Sequence, residues 1–180
     1  MNLMMSSSDL HCVIDCSGSM AEYGKPMLLV NLLRYIRQFT EEYSRNTRYF
    51  SWQENIAEIN WSAEADVGLP TTEGGSDMTA LCSWGEANPE VTLLVLTDGY
   101  FRLDAEQRQL LSQLDNLYLV GVGGDADLQQ LNTLSRHCYR AEQLDQLLHT
   151  IWRPEAAVIG PSNRVELTGV IVENKSDDEW

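Results

Sequence analysis

The segment Val13-Ile14-Asp15-Cys16-Ser17-Gly18-Ser19-Met20 (VIDCSGSM) decides how the rest of the chain is read. Apolar residues run into an aspartate, and two serines then follow at alternate positions. The run LHCVID, residues 10–15, reads as a short buried strand that ends on Asp15. In an open parallel sheet, ligands bind beyond the carboxyl ends of the strands, where the strand order reverses. A carboxylate followed by a turn bearing hydroxyls is suited to that place.

Outward from this segment, strand-like and helix-like stretches alternate. KPMLLVNLLRYIRQFTEEYSR (25–45) puts Leu29, Leu32, Leu33, Ile36 and Tyr43 on one helical face, and Pro26 suits a first helical turn. TRYFSW (47–52) and NIAEINW (55–61) read as a hairpin turning at Gln53-Glu54. SAEADVGLPTTEGGSD (62–77) is irregular, and SDMTALCSWGEA (76–87) suits a short helix. VTLLVLTDG (91–99) is apolar throughout its strand portion, as a central parallel strand should be. Asp104 and Gln107 have capping-box spacing ahead of Leu110, Leu111 and Leu114. LYLVGVG (117–123) reads as a strand, Leu128, Leu131 and Leu134 as a helix, CYRA (138–141) as a short strand, and Leu144, Leu147, Leu148 and Ile151 as a last helix. The expected fold is a doubly wound α/β domain over residues 9–153, its sheet mostly parallel with one antiparallel hairpin strand. Residues 154–180 are expected to form an extension with a strand-like stretch at 164–172 and an acidic, solvated tail.

Composition narrows the partners. The chain has 180 residues, 43% hydrophobic, with a formal net charge of −15 and a pI near 4.4. Such a surface repels phosphates and anionic headgroups, so neither nucleic acid nor a membrane is expected as a partner. No apolar run approaches the roughly 18 residues of a membrane span. MNLMMSSSDLHC lacks a basic stretch and a long apolar core, so no secretory leader and a cytoplasmic location are expected. Cys12, Cys16, Cys82 and Cys138 show no C-x-x-C spacing and read as reduced thiols.

Asp98 closes the LTDG segment just as Asp15 closes LHCVID. If the two strands are neighbours, both carboxylates reach one rim. Like charges about 4 Å apart repel by roughly 4 kcal/mol at an effective dielectric of 20. Either one carboxyl is protonated or a cation lies between them. Ser17 and Ser19 offer neutral oxygens to such a cation, and hard ligands of this kind suit magnesium or manganese.

With these residues assembled, Asp15-x-Ser17-x-Ser19 resembles the D-x-S-x-S signature of von Willebrand factor type A (vWA) domains, which forms most of their metal-ion-dependent adhesion site (MIDAS). GGSD (74–77) and LTDG (96–99) follow in the family's order, Ser76 standing at the family's threonine and Asp98 at its aspartate. The resemblance implies a metal set of Asp15, Ser17, Ser19, Ser76 and Asp98. Asp77 and Thr79 are secondary candidates, and Thr79 or the pair Thr71-Thr72 is an alternative to Ser76. It implies a Mg2+ or Mn2+ ion that binds an Asp or Glu of a protein partner. By similarity to small bacterial members, it implies a role as adaptor to a MoxR-type AAA ATPase or as an assembly factor. A structural subunit of a fixed complex, its metal site vestigial or stabilising, is the alternative.

Enzymatic readings fit less well. HC-x5 in HCVIDCSG leads to Gly18 where a cysteine phosphatase needs arginine, and Ser17 stands where a haloacid dehalogenase needs its second aspartate. CSGSM is not a G-x-S-x-G elbow, and GVGGDAD (121–127) lacks the Lys-Ser/Thr of a P-loop. A non-enzymatic module is expected. On this reading Asp98→Asn should stabilise the metal-free chain by relieving repulsion and destabilise the metal-bound one.

Overall fold

The computed structural model describes residues 9–61 and 69–152. The strand-like stretch at 164–172, the acidic tail and the 153/154 boundary lie outside the described residues, as do positions 62–68 of the irregular stretch.

The element order is β1 (Leu10–Asp15), α1 (Lys25–Glu42), β2 (Thr47–Trp52), β3 (Ile56–Ile59), α2 (Met78–Ala87), β4 (Thr92–Thr97), α3 (Ala105–Ser112), β5 (Leu117–Gly121), α4 (Leu128–Leu131), β6 (His137–Arg140) and α5 (Leu144–Trp152). The six strands form one sheet in the order β3-β2-β1-β4-β5-β6, parallel except for the antiparallel β2–β3 pair. This is the mostly parallel, doubly wound architecture expected from the sequence, hairpin included. No helix among the described residues is long and apolar enough to cross a membrane.

Side-chain parity divides the core in two. Leu10, Cys12 and Ile14 of β1 join Leu94 and Leu96 of β4 under α1 and α5. Val13, Leu93 and Val95 join Phe50 and Trp52 under α2 and α3. Each face is sealed by helical leucines at three- and four-residue spacing, and each fully buried leucine or isoleucine contributes about 1.5–3 kcal/mol. The capping box before α3 forms as its spacing suggests: the Gln107 amide donates to the Asp104 carboxylate, and Asp104 N–H donates to the Gln107 side chain. Cys12, Cys16, Cys82 and Cys138 are free thiols.

The imidazole of His11 is buried in the core. His11 is 4% exposed, packs against the rings of Phe50 and Trp84, and its Nδ1 has no hydrogen-bond partner among the described residues. Burial, aided by Arg48, pushes its pKa below the ordinary value of 6.5, while Asp9 and Glu58 oppose the shift. The unfolded chain therefore takes up a proton as pH falls through about 6.5, before the folded chain does. Stability should be unaffected by this group above that pH and should decline below it, with a slope approaching about 1.4 kcal/mol per unit. Urea unfolding at pH 7.5 and 5.5 measures the decline; His11→Phe should lose that part of the slope, and an unchanged slope would show that other groups carry it.

Candidate metal centre

The strand order reverses between β1 and β4, which pair in parallel with Ile14 opposite Leu96. Asp15 and Asp98 therefore close adjacent strands at the switch point of the sheet, and both are buried, at 1% and 0% exposure. Parity separates their surroundings. Asp15 belongs to the face of Val13, under α2. Asp98 continues the face of Leu94 and Leu96, under α1.

On the α2 side, Asp15 is held by three donors. Ser17 N–H donates to Oδ1 at 2.9 Å, the Ser76 hydroxyl to Oδ1 at 2.6 Å and the Thr97 hydroxyl to Oδ2 at 2.6 Å. Ser17 Oγ and Ser19 Oγ lie 3.2 Å apart in the turn that follows β1. The 69–77 segment is laced to this turn. Gly18 N–H donates to Gly74 C=O and Glu73 N–H to Cys16 C=O, while the Gln53 amide spans the carbonyls of Cys16, Thr71 and Glu73. Trp52 adds a bond from its indole N–H to Asp77 C=O at 2.8 Å.

On the α1 side stands a residue that the sequence reading passed over. Lys25 is 1% exposed, and its ammonium lies 2.8 Å from Asp98 Oδ2, 2.8 Å from Asp125 Oδ2 and 3.3 Å from Ser19 C=O. The Tyr100 ring faces it at 5.4 Å, and Tyr100 N–H donates to the other Asp98 oxygen. Burial works against the charge of Lys25, but the hydrogen bonds to Asp125 and Asp98 outweigh it, and its pKa lies above the ordinary lysine value. The same bond holds the Asp125 carboxyl below the ordinary carboxylate range.

The structure thus brings together Asp15, Ser17, Ser19, Ser76 and Asp98. It does not bring Asp77 or Thr79 into the cluster: the Asp77 carboxylate caps α2 through Thr79 N–H, and the Thr79 hydroxyl accepts from Gln107. Thr71 is exposed and its hydroxyl turns to Glu73, so Ser76 is the hydroxyl placed on Asp15. The expected repulsion between Asp15 and Asp98 needs correction. A cation is already present against Asp98 as the Lys25 ammonium, 2.8 Å from Oδ2. Removing the Asp98 charge strands that ammonium, so metal-free Asp98→Asn is expected to lose stability rather than gain it.

The donor set suits a hard cation. Ser76 spends its single proton on Asp15 and keeps its lone pairs, and Ser17 and Ser19 supply two more neutral oxygens. Among the described residues no group of three or more His, Cys, Asp or Glu side chains gathers for a metal, so an ion here would depend on these hydroxyls. Lys25, Thr97, Asp125, Tyr100 and Gln53 were missed from the sequence. The signal available was Lys25 itself, a cation beside Pro26 in a first helical turn, where the helix dipole disfavours one.

No protein-family model matches the chain, and no curated protein matches it in sequence. Solved structures do match. Proximal thread matrix protein 1 of the mussel byssus has a TM-score of 0.57 and 12% identity over 80% of this chain and 46% of its own. A von Willebrand factor type A protein of Catenulispora acidiphila has a TM-score of 0.50 and 14% identity over 80% of this chain and 41% of its own. The SpRpn10 VWA domain has a TM-score of 0.51 and 12% identity over 79% of this chain and 94% of its own. This chain spans less than half the length of the first two. Another structure of the mussel protein carries a zinc-occupied MIDAS motif. At these identities the likeness is one of fold: the chain has the vWA fold.

Proposed function

We propose that the chain is a metal-dependent protein-binding module. A Mg2+ or Mn2+ ion would be held by Asp15, Ser17, Ser19 and Ser76, with Asp98 adding charge, and would supply the positive centre that receives an Asp or Glu carboxylate of the partner. The observation that carries this reading is the convergence of three serine hydroxyls and Asp15 at the switch point, drawn from segments on either side of β2 and β3. Tyr23, Met27 and Tyr100, 86%, 71% and 53% exposed, come from the segments that flank the centre and offer apolar contact area. With a net charge of −15, the chain favours a partner whose acidic residue lies among basic or neutral neighbours.

Within this reading the module is cytoplasmic, binds rather than catalyses, and acts as an adaptor to a MoxR-type AAA ATPase or as an assembly factor. Support for that placement is the order of the D-x-S-x-S, GGSD and LTDG motifs, which resembles that of small bacterial vWA proteins. A second reading, a structural subunit with a merely stabilising centre, is favoured by one observation: protein donors already satisfy both Asp15 and Asp98.

Metal should raise stability by RT ln(1 + [metal]/Kd), about 2.7 kcal/mol at a hundredfold excess over Kd. Immobilised wild-type chain should capture its partner from lysate in magnesium, lose it in chelator and regain it on adding metal back. Asp15→Ala should capture nothing in either condition. Capture that ignores both chelator and Asp15→Ala would favour the structural-subunit reading.

A further inference from the structure

We infer that Lys25 is the built-in cation of this centre: its ammonium balances Asp98 and Asp125 in the metal-free protein, and a divalent ion binds Asp98 only in competition with it. The inference rests on the metal-binding reading above and adds the residue that sets how tightly metal is held.

The chain accepts several penalties to place this side chain. Lys25 is almost fully buried, at 1% exposure, which is costly for an ammonium group. It opens α1, where the helix dipole opposes a positive charge. It is delivered there by two successive left-handed residues, Tyr23 at φ 50° and Gly24 at φ 77°, of which the tyrosine is strained. The loop after β5 is shaped around its stem. Gly123 has φ +99°, and a Cβ at that position would lie 2.8 Å from Lys25 Cε.

What offsets these penalties is a complete set of acceptors. An ammonium has three protons, and Asp98, Asp125 and the Ser19 carbonyl take one each. A metal approaching Asp98 therefore meets a positive charge already in place, and like charges a few ångströms apart repel strongly in a protein interior. The second carboxylate gives the lysine somewhere to stay. The Asp125 side chain is 37% exposed and lies in the loop between β5 and α4, so Lys25 can yield Asp98 without losing all its partners.

Lys25→Met keeps most of the stem and removes the charge. Its Mn2+ affinity, measured by calorimetry, should be at least tenfold above that of wild type. In chelator the variant should be less stable than wild type in urea, and saturating Mn2+ should close the gap, because the ion restores the missing charge. A lysine that merely packs would leave equal deficits with and without metal. Equal or weaker Mn2+ binding by Lys25→Met overturns the inference and leaves the metal-binding reading standing. Binding by Lys25→Met but not by wild type supports the inference and removes metal dependence from the wild-type protein. No binding by either overturns both. If the variant does not fold in chelator, it is refolded with Mn2+: recovery of a native circular dichroism spectrum supports the inference, and failure to fold at saturating Mn2+ overturns it.

Discussion

Asp98→Asn should destabilise the protein by about 2–4 kcal/mol in chelator, and by more in excess Mn2+. Removing one partner of a buried ion pair costs about 3–5 kcal/mol, mainly because the other charge is stranded. Here the stranding is incomplete, since Asp125 keeps one contact with Lys25, and the lower end of the range reflects that. Asparagine still offers an oxygen to Tyr100 N–H, but its amide can then present only donors to the ammonium. In excess Mn2+ the wild type gains binding energy that the variant largely lacks, so the gap widens by up to about 2.7 kcal/mol at a hundredfold excess over Kd. Combining the change with Lys25→Met removes both charges together and should recover much of the loss, as uncharged replacements of buried pairs often do. Urea unfolding of the three proteins with and without metal measures each term. If Asp98→Asn proves as stable as wild type in chelator, repulsion from Asp15 matches or outweighs the lysine pair, and Lys25 is not the charge that governs Asp98.

That expectation has the opposite sign from the one drawn from sequence, and the reason lies in what a sequence can encode locally. The strands were legible because burial on both faces makes them continuous apolar runs, as in LHCVID and TLLVLT. The Asp104–Gln107 cap was legible because donor and acceptor lie within one helical turn. The rim of Asp15 and Asp98 followed from strand ends in a doubly wound order. Register and parity are different in kind, because they depend on which residue of β4 faces which residue of β1. Ile14 opposite Leu96 makes Thr97 the donor beside Asp15 and turns Asp98 towards α1. Nothing in VTLLVLTDG announces that division. Lys25 reads as an ordinary charge at the start of a helix, Gln53 as a turn residue, and Asp125 as part of a glycine-rich loop. Each acquires its role only when segments distant in sequence meet.

Trp52→Ala should cost about 3–5 kcal/mol and should also weaken the metal response. The indole is fully buried between the sheet and α2, with Phe50, Val95, Met78 and Leu81 in the same cluster and the Phe101 ring 5.7 Å away. Truncating so large a side chain leaves a cavity whose walls relax only in part, and Trp→Ala changes of this kind fall in that range. The link to the centre runs through Asp77. Trp52 N–H bonds the Asp77 carbonyl, and Asp77 follows Ser76, whose hydroxyl must stay on Asp15. With the indole gone, the segment before α2 keeps its bond from Asp77 N–H to the Gln53 carbonyl but loses its inward anchor. Trp52→Phe separates the two effects: it fills much of the cavity but cannot donate to Asp77. It should cost about 1–2 kcal/mol, a neutral hydrogen bond plus a modest loss of volume, and should still blunt the gain from Mn2+. Unfolding midpoints in chelator report the packing loss, and the difference between midpoints with and without Mn2+ reports the anchor. A Trp52→Phe protein with the full wild-type response to metal would mean that Ser76 is positioned by Gln53 and the Gly18–Gly74 bond alone.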